Sequence, residues 1–186
     1  PGEITTSRLR AYVEQGGALM LGVRSGFKTP TNRVTDQPLP GLLRDLVGAA
    51  VTTWQPLPDG VCEALDTTVP GIAGPATYWV ETLAPDKAAP LATYATGEAA
   101  LVDNRIGRGH VVTLGWYPAP EQATALLRWF LDAAGVAPGL EPPAGCLAFR
   151  RGPYTIVLNF TDEPRMATLG GEIVEVGPRD VTVGRA

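Results

Sequence analysis

The fold of this chain is decided by residues 9–21, Leu-Arg-Ala-Tyr-Val-Glu-Gln-Gly-Gly-Ala-Leu-Met-Leu. The apolar side chains of residues 5–13 share one face at helical spacing, and the paired glycines that follow supply a left-handed helix ending. The short, unbroken apolar run at 18–23 is typical of a strand buried on both faces. A helix, a tight turn and a buried strand make half of a β-α-β unit. The sequence therefore predicts an α/β sheet whose first parallel strands precede Pro1.

A polar loop covering residues 24–41 follows this strand and is rich in turn-forming residues. Loops of this length without structure of their own are uncommon inside domains and usually bind something. The loop also leaves the carboxyl end of a strand, which is where open α/β sheets bind partners. Arg24 could hold a carboxylate with two hydrogen bonds, and Phe27 could anchor in a neighbour's pocket. We expect an interface that includes Arg24, Phe27, Lys28, Asn32 and Arg33, against the alternative of a locally packed surface loop.

Hydrophobic periodicity and turn signals divide the rest of the chain. The pattern predicts a short helix over 42–47, strands over 49–57, 61–69 and 77–83, and a hairpin over 99–106 and 110–114, followed by an amphipathic helix over 123–134. Residues 136–145 contain three prolines and two glycines, which indicates a linker. Short strands are predicted at 146–150, 154–160, 166–169, 172–176 and 181–183. We therefore expect an α/β domain over 1–137 and a small antiparallel β domain over 144–186.

Composition argues against several classes of protein. A net charge of −4 with scattered Lys and Arg argues against a nucleic-acid partner. No apolar run approaches the roughly 20 residues of a membrane span. Two cysteines, Cys62 and Cys146, and one histidine, His110, are too few for a metal cluster or a disulfide framework. We expect no metal, no cofactor, no nucleic acid and no membrane, and the pairing of the two cysteines stays open.

Several stretches, in matching order and spacing, carry a resemblance to a known family. Residues 9–21 and the following Arg24-Ser25-Gly26-Phe27-Lys28 resemble the trimerisation domain of glycoside hydrolase family 42 β-galactosidases. Residues 104–111 (NRIGRGHV) resemble the late hairpin of that family, and residues 157–164 (VLNFTDEP) resemble part of its C-terminal β domain. The resemblance implies an incomplete doubly wound sheet, like that of class I glutamine amidotransferases, followed by a small antiparallel β domain.

The resemblance also implies a role. In this family a (β/α)8 barrel carries two catalytic glutamates that hydrolyse terminal non-reducing β-D-galactosides, and these 186 residues contain no barrel. We therefore expect a non-catalytic oligomerisation segment of an enzyme. Its expected partners are two further copies in a homotrimer and the barrel of the same protein, which binds the galactoside. Family habit and the few cysteines predict a bacterial, cytoplasmic protein. The alternative is a stand-alone, non-catalytic carbohydrate-binding or regulatory α/β protein.

No catalytic residue is predicted within the chain itself. Retaining glycosidases need two carboxylates about 5 Å apart, and the sequence gives no reason to pair any two of Glu81, Glu98 and Asp103. Cys62 lacks the flanking glycines of a nucleophile elbow, so amidotransferase chemistry is not expected.

Aromatic residues and the single histidine have structural and binding interpretations. Trp116 follows a strand end and is a candidate for contact with a sugar. The other tryptophans are expected in packing or an interface, and His110 in local packing.

Overall fold

The computed structural model describes residues 1–137 and 139–185. Pro138, which falls in the predicted linker, and Ala186, at the end of the predicted β domain, lie outside the described residues. The chain divides into two units, Pro1–Gly135 and Val136–Ala186. The division falls at the start of the stretch whose prolines and glycines predict a linker.

The first unit contains three helices and eight strands in its described residues. In chain order they are α1 (Glu3–Glu14), β1 (Ala18–Leu21), a 3-10 turn (Gly41–Leu43), α2 (Arg44–Val47), β2 (Ala49–Pro56), β3 (Leu65–Thr67), β4 (Thr77–Pro85), β5 (Ala89–Tyr94), β6 (Ala99–Ile106), β7 (Gly109–Leu114), β8 (Trp116–Tyr117) and α3 (Pro120–Ala133).

All eight strands belong to one mixed sheet. Its main path runs β1-β7-β6-β4-β2, while β5 joins β6 to β3 and β8 pairs with β4. Strands β1 and β7 run parallel, with Ala18 opposite His110 and Leu21 opposite Thr113. Among the described strands every other pairing in this sheet is antiparallel. The α/β class is therefore as predicted, in a form that consists mostly of strands.

Helices cover both faces of this sheet, because its central strands are apolar on both sides. In β7 the side chain of Val111 packs with Val13 of α1 and Leu46 of α2. The next side chain, Val112, belongs to a second cluster that includes Leu126 of α3. Successive residues of a strand face opposite sides, so α1 and α2 cover one face and α3 covers the other.

The junction between α1 and β7 explains why glycine stands at position 109. The N–H of Arg108 donates to the Glu14 carbonyl at 3.2 Å, and the N–H of His110 donates to the Gly17 carbonyl at 3.2 Å. These bonds bring the two backbones so close that a Cβ at Gly109 would collide with the carbonyl oxygens of Val13 and Gly17. The helix ending predicted from the paired glycines is confirmed, with Gly16 at φ 108°.

Two differences from the predicted elements concern the middle of the chain. Strand β5 was not predicted, because Pro90 interrupts its alternation. The strand predicted over 61–69 is confined to Leu65–Thr67. Before it, Glu63 forms only an isolated bridge to Ala76, and Gly60 at φ 79° turns the chain away from a ladder.

The second unit is a small antiparallel β domain, as the resemblance implies. Its strands are β9 (Cys146–Arg151), β10 (Tyr154–Asn159), β11 (Arg165–Leu169), β12 (Glu172–Val176) and β13 (Val181–Arg185). They form a three-stranded sheet, β13-β10-β9, and a two-stranded sheet, β11-β12. A small core of Val157, Ala167, Leu169 and Val176 lies between them.

No helix in residues 1–137 or 139–185 is both long and apolar enough to cross a membrane.

Candidate interface site

The loop after β1 folds back on itself and forms a narrow ribbon. The N–H of Thr35 donates to the Phe27 carbonyl at 3.0 Å, and Lys28 forms an antiparallel bridge with Val34. The ribbon turns at Asn32, whose φ of 62° is left-handed and is tolerated by asparagine better than by most residues. The loop therefore carries its own backbone hydrogen bonds.

A buried carboxylate fixes the start of this loop to the sheet. The Arg24 backbone N–H donates to Glu81 Oε1 at 2.7 Å, and the indole Nε1–H of Trp79 donates to the same oxygen at 2.8 Å. Glu81 lies on β4 and is only 2% exposed. One carboxylate oxygen thus joins the loop backbone to a tryptophan of β4.

Above this carboxylate lies an aromatic cluster formed by Arg24, Phe27, Trp54 and Trp79. The indoles of Trp54 and Trp79 stack with centroids 5.4 Å apart and planes 11° apart. The ring of Phe27 meets Trp54 edge-on at 6.0 Å, and the Arg24 guanidinium carbon lies 5.2 Å from the centre of the Trp79 ring. Trp54 nevertheless remains 51% exposed. The cluster is therefore fixed by contacts on the side of Glu81 and exposed to solvent on the opposite side.

Strand register brings the two tryptophans together. Trp54 of β2 pairs with Glu81 of β4, and Pro56 pairs with Trp79. Residues 79 and 81 share one face of β4, because side chains alternate along a strand. A bulge between Val51 and Thr53 sets the register that places Trp54 on this face as well.

The electrostatics of the site follow from burial. Burial raises the pKa of Glu81, and the hydrogen bonds from Trp79 and Arg24, together with the Arg24 charge, oppose that rise. The phenol of Tyr94 donates its single hydrogen to the main-chain carbonyl of Gly115 at 2.6 Å and lies 3.2 Å from the carbonyl of Glu81, and burial raises its pKa too. The Glu81 carboxylate and the main-chain carbonyls of Glu81 and Gly115 are therefore shielded from water.

The structure brings together two of the five predicted interface residues. Arg24 and Phe27 belong to the aromatic cluster, whereas Lys28, Asn32 and Arg33 are exposed along the ribbon beyond it. Sequence reasoning left out Trp54, Trp79 and Glu81 as members of this site. The i, i+2 spacing of Trp79 and Glu81 was an available signal for a shared face.

Trp116, the candidate for sugar contact, lies in the core. It is fully buried, and its indole N–H donates to Gln122 Oε1 at 3.2 Å. The amide nitrogen of Gln122 in turn donates to the carbonyls of residues 73–75. A sugar could reach Trp116 only if this core opened.

The remaining carboxylates and the histidine have local partners. His110 is buried, with Nδ1 2.9 Å from Asp103 Oδ1 and its ring stacked on Phe130 at 5.7 Å. Glu98 is exposed and accepts the hydroxyl of Thr96 at 2.9 Å. The local packing predicted for His110 is confirmed.

The two cysteines are unpaired, with Cys62 exposed and Cys146 partly buried. In the part of the chain that the structure describes, no group of three or more His, Cys, Asp or Glu side chains is arranged to hold a metal ion.

Comparison with known proteins assigns the family. Residues 2–137 match the family model described as the β-galactosidase trimerisation domain. The chain belongs to this family. β-Galactosidase BgaH from Haloferax lucentense is 38% identical over 172 residues, and the alignment covers 90% of this chain and 26% of that protein. β-Galactosidase Bga from Halorubrum lacusprofundi is 34% identical in an alignment of 197 positions, gaps included, that covers 96% of this chain and 28% of the relative.

Solved structures of relatives match this chain over nearly its whole length. The Halorubrum lacusprofundi β-galactosidase superposes with a TM-score of 0.79 at 32% identity, over 99% of this chain and 29% of that one. The enzyme from Bacillus circulans sp. alkalophilus reaches a TM-score of 0.85 at 21% identity, over 97% of this chain and 31% of that one, which shows the fold alone. The chain thus spans between a quarter and a third of the length of these relatives.

Proposed function

We propose that this segment holds three copies of a β-galactosidase together, and that a barrel elsewhere in the longer protein hydrolyses terminal β-D-galactosides. The observation that carries the proposal is the half-exposed Trp54, packed on Trp79 and Phe27 above the buried Glu81. Interfaces are enriched in tryptophan and arginine, which carry much of the binding energy when a partner covers them.

Rigidity makes this cluster suitable as a docking surface. Trp54 already stacks on Trp79, and the Arg24 backbone is fixed by Glu81, so association need not order these groups. Less ordering lowers the entropic cost of binding. The exposed Lys28, Asn32 and Arg33 supply the polar rim that usually surrounds an apolar interface centre.

We also propose that the sheet continues beyond β1 in a doubly wound, amidotransferase-like arrangement. β1 pairs in parallel with β7 on one side, and all four of its residues remain partly exposed. A further parallel strand would pair with this edge of β1 and cover it.

The oligomeric mass of the full-length protein tests the main proposal. We expect Phe27→Ala with Trp54→Ala to weaken the trimer at least tenfold, so that light scattering finds monomers at concentrations where the unaltered protein is trimeric. Tyr117→Ala is the matched control, because Tyr117 is an equally exposed aromatic residue outside the cluster. An unchanged trimer in the double variant would contradict the proposal.

A separate experiment tests whether this segment itself hydrolyses galactosides. The chain produced alone is expected to give no turnover of a chromogenic galactoside, because the sequence gives no reason to pair two carboxylates at the spacing that a retaining glycosidase needs. Clear turnover in a preparation free of other glycosidases would overturn this expectation. The bacterial cytoplasm remains a prediction of the resemblance, and one relative of known structure comes from a haloarchaeon.

A further inference from the structure

The three-stranded sheet of the second unit has one side that is apolar and uncovered. Register places Phe149 and Val183 on either side of Ile156, and Leu147 and Val181 on either side of Leu158. We call this side of the sheet the outer face. At one end of it Tyr154 lies between Arg151 and Arg185.

This face is exposed while the opposite side of the same strands is buried. Leu147, Phe149, Val181 and Val183 are 51%, 40%, 49% and 56% exposed. Val157, whose side chain points the other way, is 1% exposed against the two-stranded sheet. Three strands of five residues span about 14 by 17 Å. Apolar side chains that are exposed next to one another, rather than scattered singly, are a feature of interaction sites.

The size of the second unit is a reason for the face to be covered. Its described core consists of four buried apolar residues, within Val136–Ala186. Chains this short bury too small a fraction of their surface to be comfortably stable alone. Burial of the outer face against another surface would supply the missing apolar contact.

We propose that the outer face docks on a part of the same longer polypeptide that lies outside these 186 residues. The surface that receives it is apolar, with acidic groups that face Arg151 and Arg185. This inference rests on the proposed function in one respect, that a longer protein exists. The alignment with β-galactosidase BgaH covers only 26% of that relative, which leaves most of such a protein available. A covalently tethered surface also competes at an effective concentration in the millimolar range.

Symmetry disfavours the same face of a second copy as the occupant. Two copies that pair through one face form an isologous contact around a twofold axis, whereas a trimer is built from heterologous contacts. The outer face therefore has no self-complementary use in a closed trimer.

Photo-cross-linking in the full-length protein tests the proposal. p-Benzoylphenylalanine replaces Phe149 in one sample and Ile173 in a control. Ile173 is 73% exposed on β12, away from the outer face. Mixing isotope-labelled and unlabelled protein separates links within one polypeptide from links between copies. We expect position 149 to cross-link at least tenfold more than position 173, within one polypeptide and to peptides outside residues 1–186. Links between copies, links to residues 1–135, or equal yields from both positions would overturn the proposal.

Charge reversal adds a second measurement with a matched pair. Arg151 lies on the outer face and Arg150 on the opposite side of the same strand, and both are exposed. We expect Arg151→Glu to lower the cross-link yield from position 149 at least fivefold and Arg150→Glu to leave it unchanged. Equal yields in both variants would overturn the acidic-partner part of the proposal. If the unaltered protein is not a trimer, the proposed function is contradicted instead. The two results can be told apart, because a cross-link within one polypeptide does not depend on assembly.

Discussion

Glu81 holds both the loop after β1 and the aromatic cluster in place. Its Oε1 atom accepts hydrogen bonds from both the Arg24 backbone and the Trp79 indole, on a side chain that is 2% exposed. A buried acceptor that loses a partner costs about 1–3 kcal/mol, and more when it is charged. The orientation of the cluster therefore depends on a carboxylate that does not itself reach the surface.

The titration of Glu81 should make stability depend on pH. Burial raises its pKa in the folded chain above the usual 4.5. The stability that it contributes is therefore fully present below pH 4.5 and is lost as the pH rises through the raised pKa. Glu81→Gln cannot titrate, so its free energy of unfolding relative to the unaltered chain is expected to increase from pH 4.5 toward neutrality. Urea unfolding at a series of pH values measures this, with the exposed Glu98→Gln as control. A pH-independent difference for Glu81→Gln would contradict the expectation.

Gly109 provides a second prediction at this scale. A Cβ at position 109 would collide with the backbone oxygens of Val13 and Gly17, so α1 and β7 must separate to accept it. We expect Gly109→Ala to lower the free energy of unfolding by about 1–3 kcal/mol, the usual cost of overpacking. Gly22→Ala is the control, because a Cβ there has nothing within 4 Å. Equal stabilities of the two variants in chemical denaturation would show that the junction yields freely.

Among the elements, those with regular periodicity were predictable and those set by distant pairing were not. The hairpin of β6 and β7 and helix α3 follow from alternation and from the i, i+3, i+4 pattern. β5 was missed because its alternation is broken by Pro90, and it exists because β3 and β6 flank it.

The candidate site divides in the same way. The position of the loop after a strand pointed to Arg24 and Phe27. The meeting of Trp54 with Trp79 depends on a bulge between Val51 and Thr53 that no local pattern reveals. Long-range strand register is decided by tertiary packing. The sequence therefore predicts the loop as a site, but it does not predict that Trp54 and Trp79 stack next to it.

The loop that connects β10 to β11 depends on one asparagine. Asn159 Nδ2 donates to the carbonyls of Glu163, Val176 and Gly177, at 2.7, 3.2 and 2.9 Å, and its Oδ1 accepts the N–H of Thr161. We expect Asn159→Ala to remove these hydrogen bonds, to lower the free energy of unfolding by about 2 kcal/mol and to speed amide exchange in β12. The Glu163 carbonyl keeps the Thr161 hydroxyl as a donor, at 2.9 Å.

Asp162 in the same loop is the control for this prediction. It forms an exposed ion pair with Arg179, at 2.8 Å between Oδ1 and Nε. Pairs of this kind contribute little to stability. Asp162→Ala should therefore leave exchange in β12 unchanged, and an equal effect of the two variants would contradict the role given to Asn159.

At the scale of the whole chain, hydrogen bonding should decide where a protease cuts first. Val136 and Ala137 are exposed and irregular at the start of the second unit, whereas the longer ribbon after β1 is tied by its own backbone bonds. We expect thermolysin, which cuts before apolar residues, to make its first cut within 136–140. Mass spectrometry of early digestion products measures this. A first cut within 24–36 would show that loop length matters more than hydrogen bonding.

The parallel pairing of β1 with β7 has a consequence for how the chain is made. β1 leaves the ribosome before its ladder partner, His110 to Thr113, which follows later in the chain. At common translation rates the wait lasts about 5–20 s. During that time the apolar strand lacks this ladder partner. Nascent chains of this protein are therefore expected to be natural clients of ribosome-associated chaperones until the late hairpin emerges.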